Sequence, residues 1–493
     1  MHAFLPAIPL LVLISALLLK RGALVSSIAG SAAVLAVIAA DRRYALDVDA
    51  LLSTDLPVVL ILTLSVALVI VPGQILNALL QSSGTIAAIG ARIESLPLAR
   101  VKMASIIVLG IAPALESMTG FGVSLFFTVP VLAQLFSINN ALLLSLLSMN
   151  IMPWGTLALA TLVGAQLAGT SFAQLAFTTS LTSFAVFPVI GLLIFAVCRE
   201  PGAGWRALLW PLLTGLLLSC CLVFYNALAA AELAGVYAGL TTAALVLLAE
   251  WLRRGPGLLS AFRSARPALP PLLRLFAPYL TLIALIGLSR IAPLYDALQN
   301  LLSFRGGNVK LRVFTSPGVF IFLTIALMYA CSKTCRNHPG ALRSGIRRAV
   351  YPITGIALFV VFAQLHRASG IFEHLASRMV ALSVSEITFI APLLGMVSGY
   401  ATGSNVGGNA LFMALQSDAG GHFEHALAFA AVQNSGAGHA VFMSLPIILL
   451  ALSIAAPGPA DAAARQTWLI RRALLCAPLI YAALLIPFHQ LIR

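Results

Sequence analysis

Long apolar runs separated by short polar segments make up most of this 493-residue chain. A helix needs roughly 20 apolar residues to cross a hydrocarbon core about 30 Å thick. Runs close to that length predict crossings at residues 4–19, 23–40, 58–76, 181–198, 207–225, 233–249, 276–288, 319–331, 349–365, 387–400, 439–455 and 473–492. Shorter apolar pieces lie between them and are typical of re-entrant hairpins. We therefore predict an all-α polytopic membrane protein with about 11 to 14 transmembrane helices.

Two of the polar segments are glycine-bearing breaks inside apolar sequence. The first, LESMTGFG at residues 115–122, contains Glu116, the single charged residue between Lys102 and Arg199. The second, SGYATGSNVGGN at residues 398–409, lies in a stretch without any Asp, Glu, Lys or Arg. An ionisable group at membrane depth is costly and by default marks a substrate or proton site. Paired breaks of this kind are typical of secondary transporters.

An amide-bearing break follows each glycine break further along the chain. The sequence NIMPWGT at residues 150–156 follows the first, and QNSG at residues 433–436 follows the second. This shared order predicts two inverted structural repeats, each with a broken or re-entrant helical hairpin. The first transmembrane repeat is placed at residues 1–250, a basic cytoplasmic linker at 251–275, and the second repeat at 276–493.

The backbone at these breaks explains what they can bind. N–H groups at the start of an interrupted helix are unpaired and, with the helix dipole, attract anions without any cationic side chain. Hydroxyl and amide side chains add hydrogen bonds for a small carboxylated or hydroxylated solute. We predict that the substrate is bound by Thr119, Gly120, Gly122, Thr402, Gly403, Ser404, Asn405, Asn409, Asn434 and Ser435.

The remaining predicted roles concern coupling and gating. Glu116 is predicted to carry the coupling proton, because it is the lone acid of the first break. Asn150, Pro153 and Gly155 form the amide-bearing break of the first half and are predicted to take part in gating. Structural alternatives stay open, since Glu116 can hydrogen-bond a neighbouring helix without titrating, and glycine clusters can serve close helix packing. Pro153 alone can explain a kink.

Composition and charge narrow the class of protein. With 60% hydrophobic and 9% charged residues, and a mean hydropathy of +1.02, the chain does not suit a single water-soluble globule. The formal net charge of +14 does not indicate nucleic-acid binding, because the basic residues cluster at helix ends without a nucleic-acid motif. The positive-inside rule assigns two basic clusters to the cytoplasm. They are Arg253, Arg254, Arg263, Arg266 and Arg274, and Lys333, Arg336, Arg343, Arg347 and Arg348.

Other motifs set the remaining expectations. No P-loop is present, so ATP-driven pumping is not expected. The six cysteines show no zinc or redox spacing, and no metal site is predicted. No cofactor is predicted beyond a proton gradient, with sodium as an alternative coupling ion. The expected partners are a small organic anion and the lipid bilayer of the plasma (inner) membrane, and a homo-oligomer stays possible.

Both glycine breaks resemble motifs of one known family. LESMTGFG is similar to the L-E-G-x-x-G-F-G motif of the L-lactate permease family, and TGSNVGGNALF at residues 402–412 is similar to its T-G-S-D-x-x-x-N-A-L-F motif. Gln416 and the QNSG segment also agree with the pattern. The resemblance implies a symporter of lactate, glycolate or a similar 2-hydroxy acid with protons, and not an enzyme. Two departures matter: Asn405 stands where the family has Asp, and Ser117 stands where it has Gly.

Alternatives within and outside this class stay open at the level of sequence. A sodium-coupled carrier is favoured by Asn405, since the amide offers an oxygen ligand but no titratable group. An exporter of another organic anion is compatible with the same motifs. An intramembrane enzyme would need a clustered acid, base or metal set, whereas Glu116 stands alone. A passive channel is compatible with paired half-helices but not with a lone buried acid.

Overall fold

A computed structural model describes residues 5–19, 21–94, 97–120, 122–198, 204–228, 230–254, 272–307, 309–380, 382–456 and 458–493. Within these residues the fold consists of helices and a single β-hairpin. The prediction of an all-α polytopic membrane protein is confirmed. Most of the predicted basic linker, residues 255–271, lies outside the described residues.

The helices of the first half begin and end as follows. They are α1 Ile8–Leu18, α2 Gly22–Ala40, α3 Val48–Ala50, α4 Leu56–Ser82, α5 Thr85–Glu94, α6 Arg100–Ile106, α7 Ala112–Thr119, α8 Val123–Leu135, α9 Ile138–Leu147, α10 Gly155–Leu167, α11 Phe172–Thr182, α12 Val186–Cys198, α13 Arg206–Ala227 and α14 Ala231–Arg254. Wider π-helical turns, Leu51–Asp55 and Ile107–Ile111, join α3 to α4 and α6 to α7. The 3₁₀ turn Leu5–Ala7 precedes α1, and the 3₁₀ segment Ser148–Trp154 joins α9 to α10.

The second half contains the β-hairpin and the remaining helices. They are α15 Leu272–Ser289, α16 Ala292–Leu301, β1 Ser303–Gly306, β2 Val309–Arg312, α17 Pro317–Cys331, α18 Lys333–Arg336, α19 Gly340–Ala368, α20 Ile371–Val380, α21 Val384–Thr402, α22 Asn405–His422, α23 Ala426–Ala440, α24 Leu445–Ala455 and α25 Pro459–Leu491. The two strands pair antiparallel, with Phe304 opposite Leu311. The 3₁₀ turns Val313–Thr315 and Val441–Met443 complete this half.

The number of spans overlaps the lower part of the predicted range. Ten helices of the described chain are long and apolar enough to cross a membrane, or up to twelve if each bent pair forms one span. α11 and α12 are bent by 43°, so the crossing predicted at 181–198 is the second part of a longer, broken element. α15 and α16 are bent by 87°. The crossing predicted at 349–365 lies within α19, which begins earlier, at Gly340, and includes several basic residues before residue 349.

Local sequence explains several helix ends. Ser383 and Glu386 form a capping box at the start of α21, where each side chain satisfies the other residue's backbone N–H. α17 and α24 carry proline in the first turn, where its missing N–H removes no helical hydrogen bond.

The first hairpin and the described basic residues Arg274 and Lys333 lie on one side of the bundle. Glu232 and Glu250 lie near opposite ends of α14, so these two residues mark opposite sides. Lys102, near the start of α6, pairs with Glu250. The helical hairpin of α6, α7 and α8 therefore has its base on the side of Glu250 and its tip at the first glycine break. Arg274 follows α14 across the linker, and α15 and α17 separate it from Lys333, so both residues belong to the Glu250 side.

The second hairpin enters from the other side. Ser417, late in α22, donates a hydrogen bond to the carbonyl of Ala168, directly after α10, at 3.4 Å. At the same end of α10, Gln166 Nε2 donates to the Lys310 carbonyl of β2 at 3.0 Å. Arg290, which lies between α15 and α16 and so on the same side as this β-hairpin, pairs with Glu232. The hairpin of α21 and α22 thus has its base on the Glu232 side and its tip at the second glycine break.

The elements around the two hairpins follow one order with reversed direction. A long helix comes first (α4 or α19), then a 10-residue helix (α5 or α20), the hairpin, and a broken crossing (α9 and α10, or α23 and α24). α4 and α19 run antiparallel, since Arg348 near the start of α19 donates to Gln81 near the end of α4 at 3.2 Å. Inverted repeats have this arrangement. The repeat relation itself, and its boundaries, stay predictions.

Candidate functional site

The second glycine break places the end of one helix beside the start of another, deep in the bundle. α21 ends directly before Gly403, which adopts a left-handed conformation with φ of 64°. Ser404 caps α22, its hydroxyl oxygen accepting from the Gly407 N–H at 3.3 Å. The N–H groups of Asn405 and Val406, the first two residues of α22, have no acceptor within the helix. They form the kind of backbone site that attracts a carboxylate.

A cavity of about 410 Å³ lies in front of this helix start. It is lined by Gln74, Asn77, Phe126, Met152, Gly155, Thr156, Ala160, Arg348, Pro352, Gly403, Ser404, Asn405, Val406, Ile447 and Leu450. Arg348 is the one charged side chain in this lining, and it is exposed. Because Arg348 lies at the Glu250 side of the bundle, the cavity reaches from the tip of the second hairpin toward that side.

A left-handed turn contributes Thr156 to the lining of the cavity. Thr156, Leu157 and Ala158 have φ values of 52°, 55° and 57°, although none of them is glycine. Left-handed backbone costs roughly 1–2 kcal/mol per non-glycine residue. Gly120 of the first break packs directly against this turn, and an added Cβ there would overlap the Thr156 hydroxyl. The tip of the first hairpin therefore supports a strained wall of the cavity, as is common at functional sites.

A network of amide side chains lies behind the cavity. Asn434 is fully buried, and its Oδ1 accepts from Asn405 Nδ2 at 3.1 Å and from Asn409 Nδ2 at 2.8 Å. Its Nδ2 donates to the hydroxyls of Thr161 at 2.8 Å and Thr179 at 3.1 Å. Asn434 thus ties α22 and α23 of the second half to α10 and α11 of the first half.

Glu116 caps a helix inside its own hairpin. The side chain is fully buried. Oε1 accepts from the Gly122 N–H at 2.9 Å, and Oε2 accepts from the Ser124 N–H at 3.1 Å and the Ser124 hydroxyl at 2.8 Å. The carboxylate therefore occupies the N-terminus of α8. Glu116 does not line the cavity. The first glycine break, whose Gly120 packs against Thr156, lies between the Glu116 carboxylate and the cavity.

The predicted site residues divide into three groups by position. The cavity is lined by Gly155, Gly403, Ser404 and Asn405. Six others do not line it. Pro153, Asn409, Asn434 and Ser435 belong to the buried polar layer behind it. Asn150 is buried but donates to the Val108 and Leu147 carbonyls, and Thr402 is half-buried and bonds within its own turn. The break capped by Glu116 contains Thr119, Gly120 and Gly122. Phe121 lies outside the described residues.

Sequence reasoning missed several polar lining residues. Gln74 and Asn77 are buried and face the cavity from α4, one helical turn apart. Two amides beside Pro72 and Gly73 in an apolar helix were a signal that could have marked them. Arg348 was assigned only to a cytoplasmic basic cluster, because the start of α19 was placed after it.

These features define a polytopic, all-α membrane protein in which two broken-helix hairpins from opposite sides meet beside one central polar cavity. The family model described as L-lactate permease matches residues 303–486, from β1 into α25. This match confirms the predicted resemblance to the lactate permease family over residues 303–486, and that family is one of transporters. The matched range includes the second glycine break but not the first. No curated protein matches the chain.

Proposed function

We propose that the protein is a secondary active transporter of a small monocarboxylate, a lactate- or glycolate-like 2-hydroxy acid, by proton symport across the plasma membrane. The observation that carries the proposal is the central cavity, where the start of α22 and the guanidinium of Arg348 line the same space. A helix N-terminus and an arginine are both suited to a carboxylate. The family match adds independent support for lactate as the type of substrate.

The lining of the cavity fits a small hydroxylated anion. The Asn405 and Val406 N–H groups and Arg348 are assigned to the carboxylate. Gln74 and Asn77 bring side-chain amides from α4 for the hydroxyl group. Phe126 and Leu450 give apolar surface for the short carbon chain. Among the lining residues there is no acid that would repel an anion.

The first hairpin supplies an internal precedent for the carboxylate site. Its helix α8 begins at a glycine break, as α22 does, and the α8 N-terminus already holds a carboxylate, that of Glu116. At the start of α22 no carboxylate of the described residues takes that place, and Ser404, Asn405 and Val406 line the cavity instead. We assign this place to the substrate.

Glu116 is assigned to proton coupling within this proposal. Both of its carboxylate oxygens accept hydrogen bonds, so protonation would replace an acceptor by a donor beside the Gly122 and Ser124 N–H groups. That change would loosen the start of α8 and, through Gly120, the wall formed by Thr156. A proton on Glu116 and a solute in the cavity are thereby connected through one hairpin tip.

The exposed side chain of Arg348 gives the cavity a lining residue at one surface of the bundle, which fits the outward or inward opening of a carrier with alternating access. It reaches toward the Glu250 side, where the described basic residues Arg274, Lys333 and Arg348 lie, and the positive-inside rule assigns that side to the cytoplasm. The form described here is then the cytoplasm-open form.

The test is uptake of labelled L-lactate and glycolate into proteoliposomes with an inward proton gradient, with and without sodium. We expect accumulation that an uncoupler abolishes. Arg348→Gln should raise the apparent KM for lactate at least tenfold, since it removes a charged hydrogen bond to the carboxylate. Arg347→Gln is the matched control, because Arg347 is also exposed but does not line the cavity. Lack of uptake of either acid under both gradients, or equal KM values for the two variants, would contradict the proposed substrate or its site.

A further inference from the structure

The Pro153 carbonyl determines which groups donate and which accept in the polar layer behind the cavity. The Pro153 carbonyl can only accept, and it accepts from the Thr161 hydroxyl at 2.6 Å. That hydroxyl has no second hydrogen, so its contact with Asn434 at 2.8 Å must be a donation by Asn434 Nδ2. Asn434 Oδ1 therefore points to α22 and accepts from the Nδ2 groups of Asn405 and Asn409.

This direction leaves two amide oxygens without a donor. Asn409 Nδ2 donates its second hydrogen to the Ala160 carbonyl at 2.9 Å, and Asn405 Nδ2 donates to the Met152 carbonyl at 3.4 Å. The Oδ1 atoms of Asn405 and Asn409 have no hydrogen-bond partner, although the residues are only 1% and 0% exposed. Leaving a buried acceptor unsatisfied costs free energy, so each such oxygen requires a partner or an explanation.

The surroundings favour a cation as that partner. Asn405 and Asn409 are four residues apart on α22 and therefore lie on one face, with Cβ atoms roughly 5–6 Å apart. The neighbouring groups are the carbonyl oxygens of Met152 and Ala160. These carbonyls accept hydrogen bonds from the Nδ2 groups of Asn405 and Asn409. The C-terminal end of α21, with its partial negative charge, lies directly before this face.

The absence of formal negative charge selects the type of cation. Calcium and magnesium sites are built with carboxylates. Among the described residues, no group of three or more His, Cys, Asp or Glu side chains could hold a metal ion. Transporters coordinate sodium with backbone carbonyls and the C-terminal ends of interrupted helices, and the two amide oxygens are uncharged ligands of the same kind.

We propose that the Oδ1 atoms of Asn405 and Asn409 form part of a sodium site directly behind the substrate cavity. Asn405 then serves two solutes, since its backbone N–H faces the carboxylate and its side-chain oxygen holds the cation. Binding of sodium and of the anion is consequently coupled, and the coupling is reciprocal. Only this coupling rests on the proposed function, and the cation site stands on the amide geometry alone.

The direct test is equilibrium binding of ²²Na⁺ to the purified full-length protein, with thermal unfolding in sodium, potassium or choline chloride at equal ionic strength. We expect saturable binding that potassium does not displace, and a midpoint that is higher by a few degrees in sodium alone, as for any solute that binds the folded state. Equal midpoints in the three salts together with no saturable binding would overturn the proposal.

Variants locate the site. Asn409→Asp keeps the side-chain size and adds a charge, so it should tighten sodium binding at least tenfold at neutral pH. Asn409→Val removes the oxygen and should abolish binding. Gln416→Glu is the matched control, because Gln416 is also buried with an unpartnered amide oxygen but lies seven residues further along α22, about 10 Å along the helix axis. Equal effects at residues 409 and 416 would contradict a site at Asn405 and Asn409.

Failure of this inference and failure of the proposed function give different results. Lactate uptake that is driven by protons and unaffected by sodium, without ²²Na⁺ binding, removes the sodium site and leaves the transporter. Sodium binding without uptake of lactate or glycolate keeps the site and removes the proposed substrate. If the sodium site and the proposed lactate transport are both correct, sodium should lower the KM for lactate, and Asn409→Val should eliminate that effect.

Discussion

At the scale of single residues, Glu116 and Asn405 both lie at the start of a hairpin's second helix, Glu116 by its side chain and Asn405 by its place in the chain, but they have different chemistry. Glu116 is a buried carboxylate that satisfies the start of α8. Asn405 is the first residue of α22, where its backbone faces the cavity and its side chain joins the amide layer. The titratable group thus lies in the hairpin that does not present its helix start to the cavity.

Substitution Glu116→Gln should abolish proton-driven accumulation and leave exchange of labelled for unlabelled lactate partly intact. Glutamine retains one acceptor oxygen for the α8 N-terminus but no longer takes up a proton. Accumulation and counterflow are measured in the same proteoliposomes. Accumulation equal to that of the original protein, at equal reconstitution, would remove Glu116 from coupling and leave it as a helix cap.

Substitution Asn405→Asp should make transport depend on pH in a new way. In sodium-free medium the introduced carboxyl is uncharged below its pKa and then resembles the amide, whereas above that pKa its negative charge lies in the amide layer directly behind the substrate anion and repels it. We expect KM for lactate close to that of the original protein at low pH and a higher KM as pH rises. Kinetics over a pH series test this, and an unaltered profile would limit this position to uncharged hydrogen bonding.

At the scale of elements, the broken crossing of α9 and α10 carries an unusual backbone. The three left-handed residues Thr156, Leu157 and Ala158 begin a helix that then continues normally to Leu167. The first hairpin tip packs on this turn through Gly120, and the second hairpin tip lies across the cavity from it. The strained turn is therefore placed between the two moving parts that the proposed mechanism needs.

Glycine at residue 158 should be tolerated far better than glycine elsewhere in the same helix. Ala158→Gly removes a methyl group but relieves left-handed strain of about 1–2 kcal/mol. Ala165→Gly, at an equally buried position of α10, removes the same methyl group without any relief and costs about 1 kcal/mol in helix propensity. The midpoint of thermal unfolding should therefore be lower for Ala165→Gly than for Ala158→Gly. The reverse order would mean that the turn is not strained.

The sequence reveals some of these features and hides others for physical reasons. The glycine breaks can be found because polar residues stand out in apolar sequence, and the helix count follows from run lengths. The left-handed turn has no signal, since Thr156, Leu157 and Ala158 are ordinary helix or strand residues. Arg348 was missed as a cavity residue because a charged first turn hides the true start of α19. The contacts of Glu116 depend on how the chain folds back, which no local pattern records.

At the scale of the whole molecule, the two hairpins enter from opposite sides, and the lining of the central cavity extends to the exposed Arg348 on the Glu250 side. On the Glu232 side, α22 and α10 are joined by Ser417 and by the amide layer around Asn434. Access from that side requires these contacts to separate. A carrier cycle would alternate between this arrangement and one in which the cavity near Arg348 is closed.

A cysteine at residue 77 should report this one-sided access. Asn77 is buried in the wall of the cavity, so Asn77→Cys in a cysteine-free background should react with a membrane-impermeant thiol reagent from the cytoplasmic side. Lactate should slow the reaction by occupying the cavity. Labelling is measured in right-side-out and inside-out vesicles. Equal reaction from both sides, or no protection by lactate, would contradict a one-sided substrate cavity.

The uncharged interior of the cavity has an electrical consequence. Beyond Arg348 at its mouth, the lining consists of amides, hydroxyls, backbone and apolar groups. The net charge that crosses the membrane in each cycle is then set by the solutes themselves. A lactate anion alone would move against an interior-negative membrane voltage, at about 2.3 kcal/mol per 100 mV. One bound cation makes the step voltage-independent, and a second makes the voltage drive uptake, so current measurements can count the coupling ions directly.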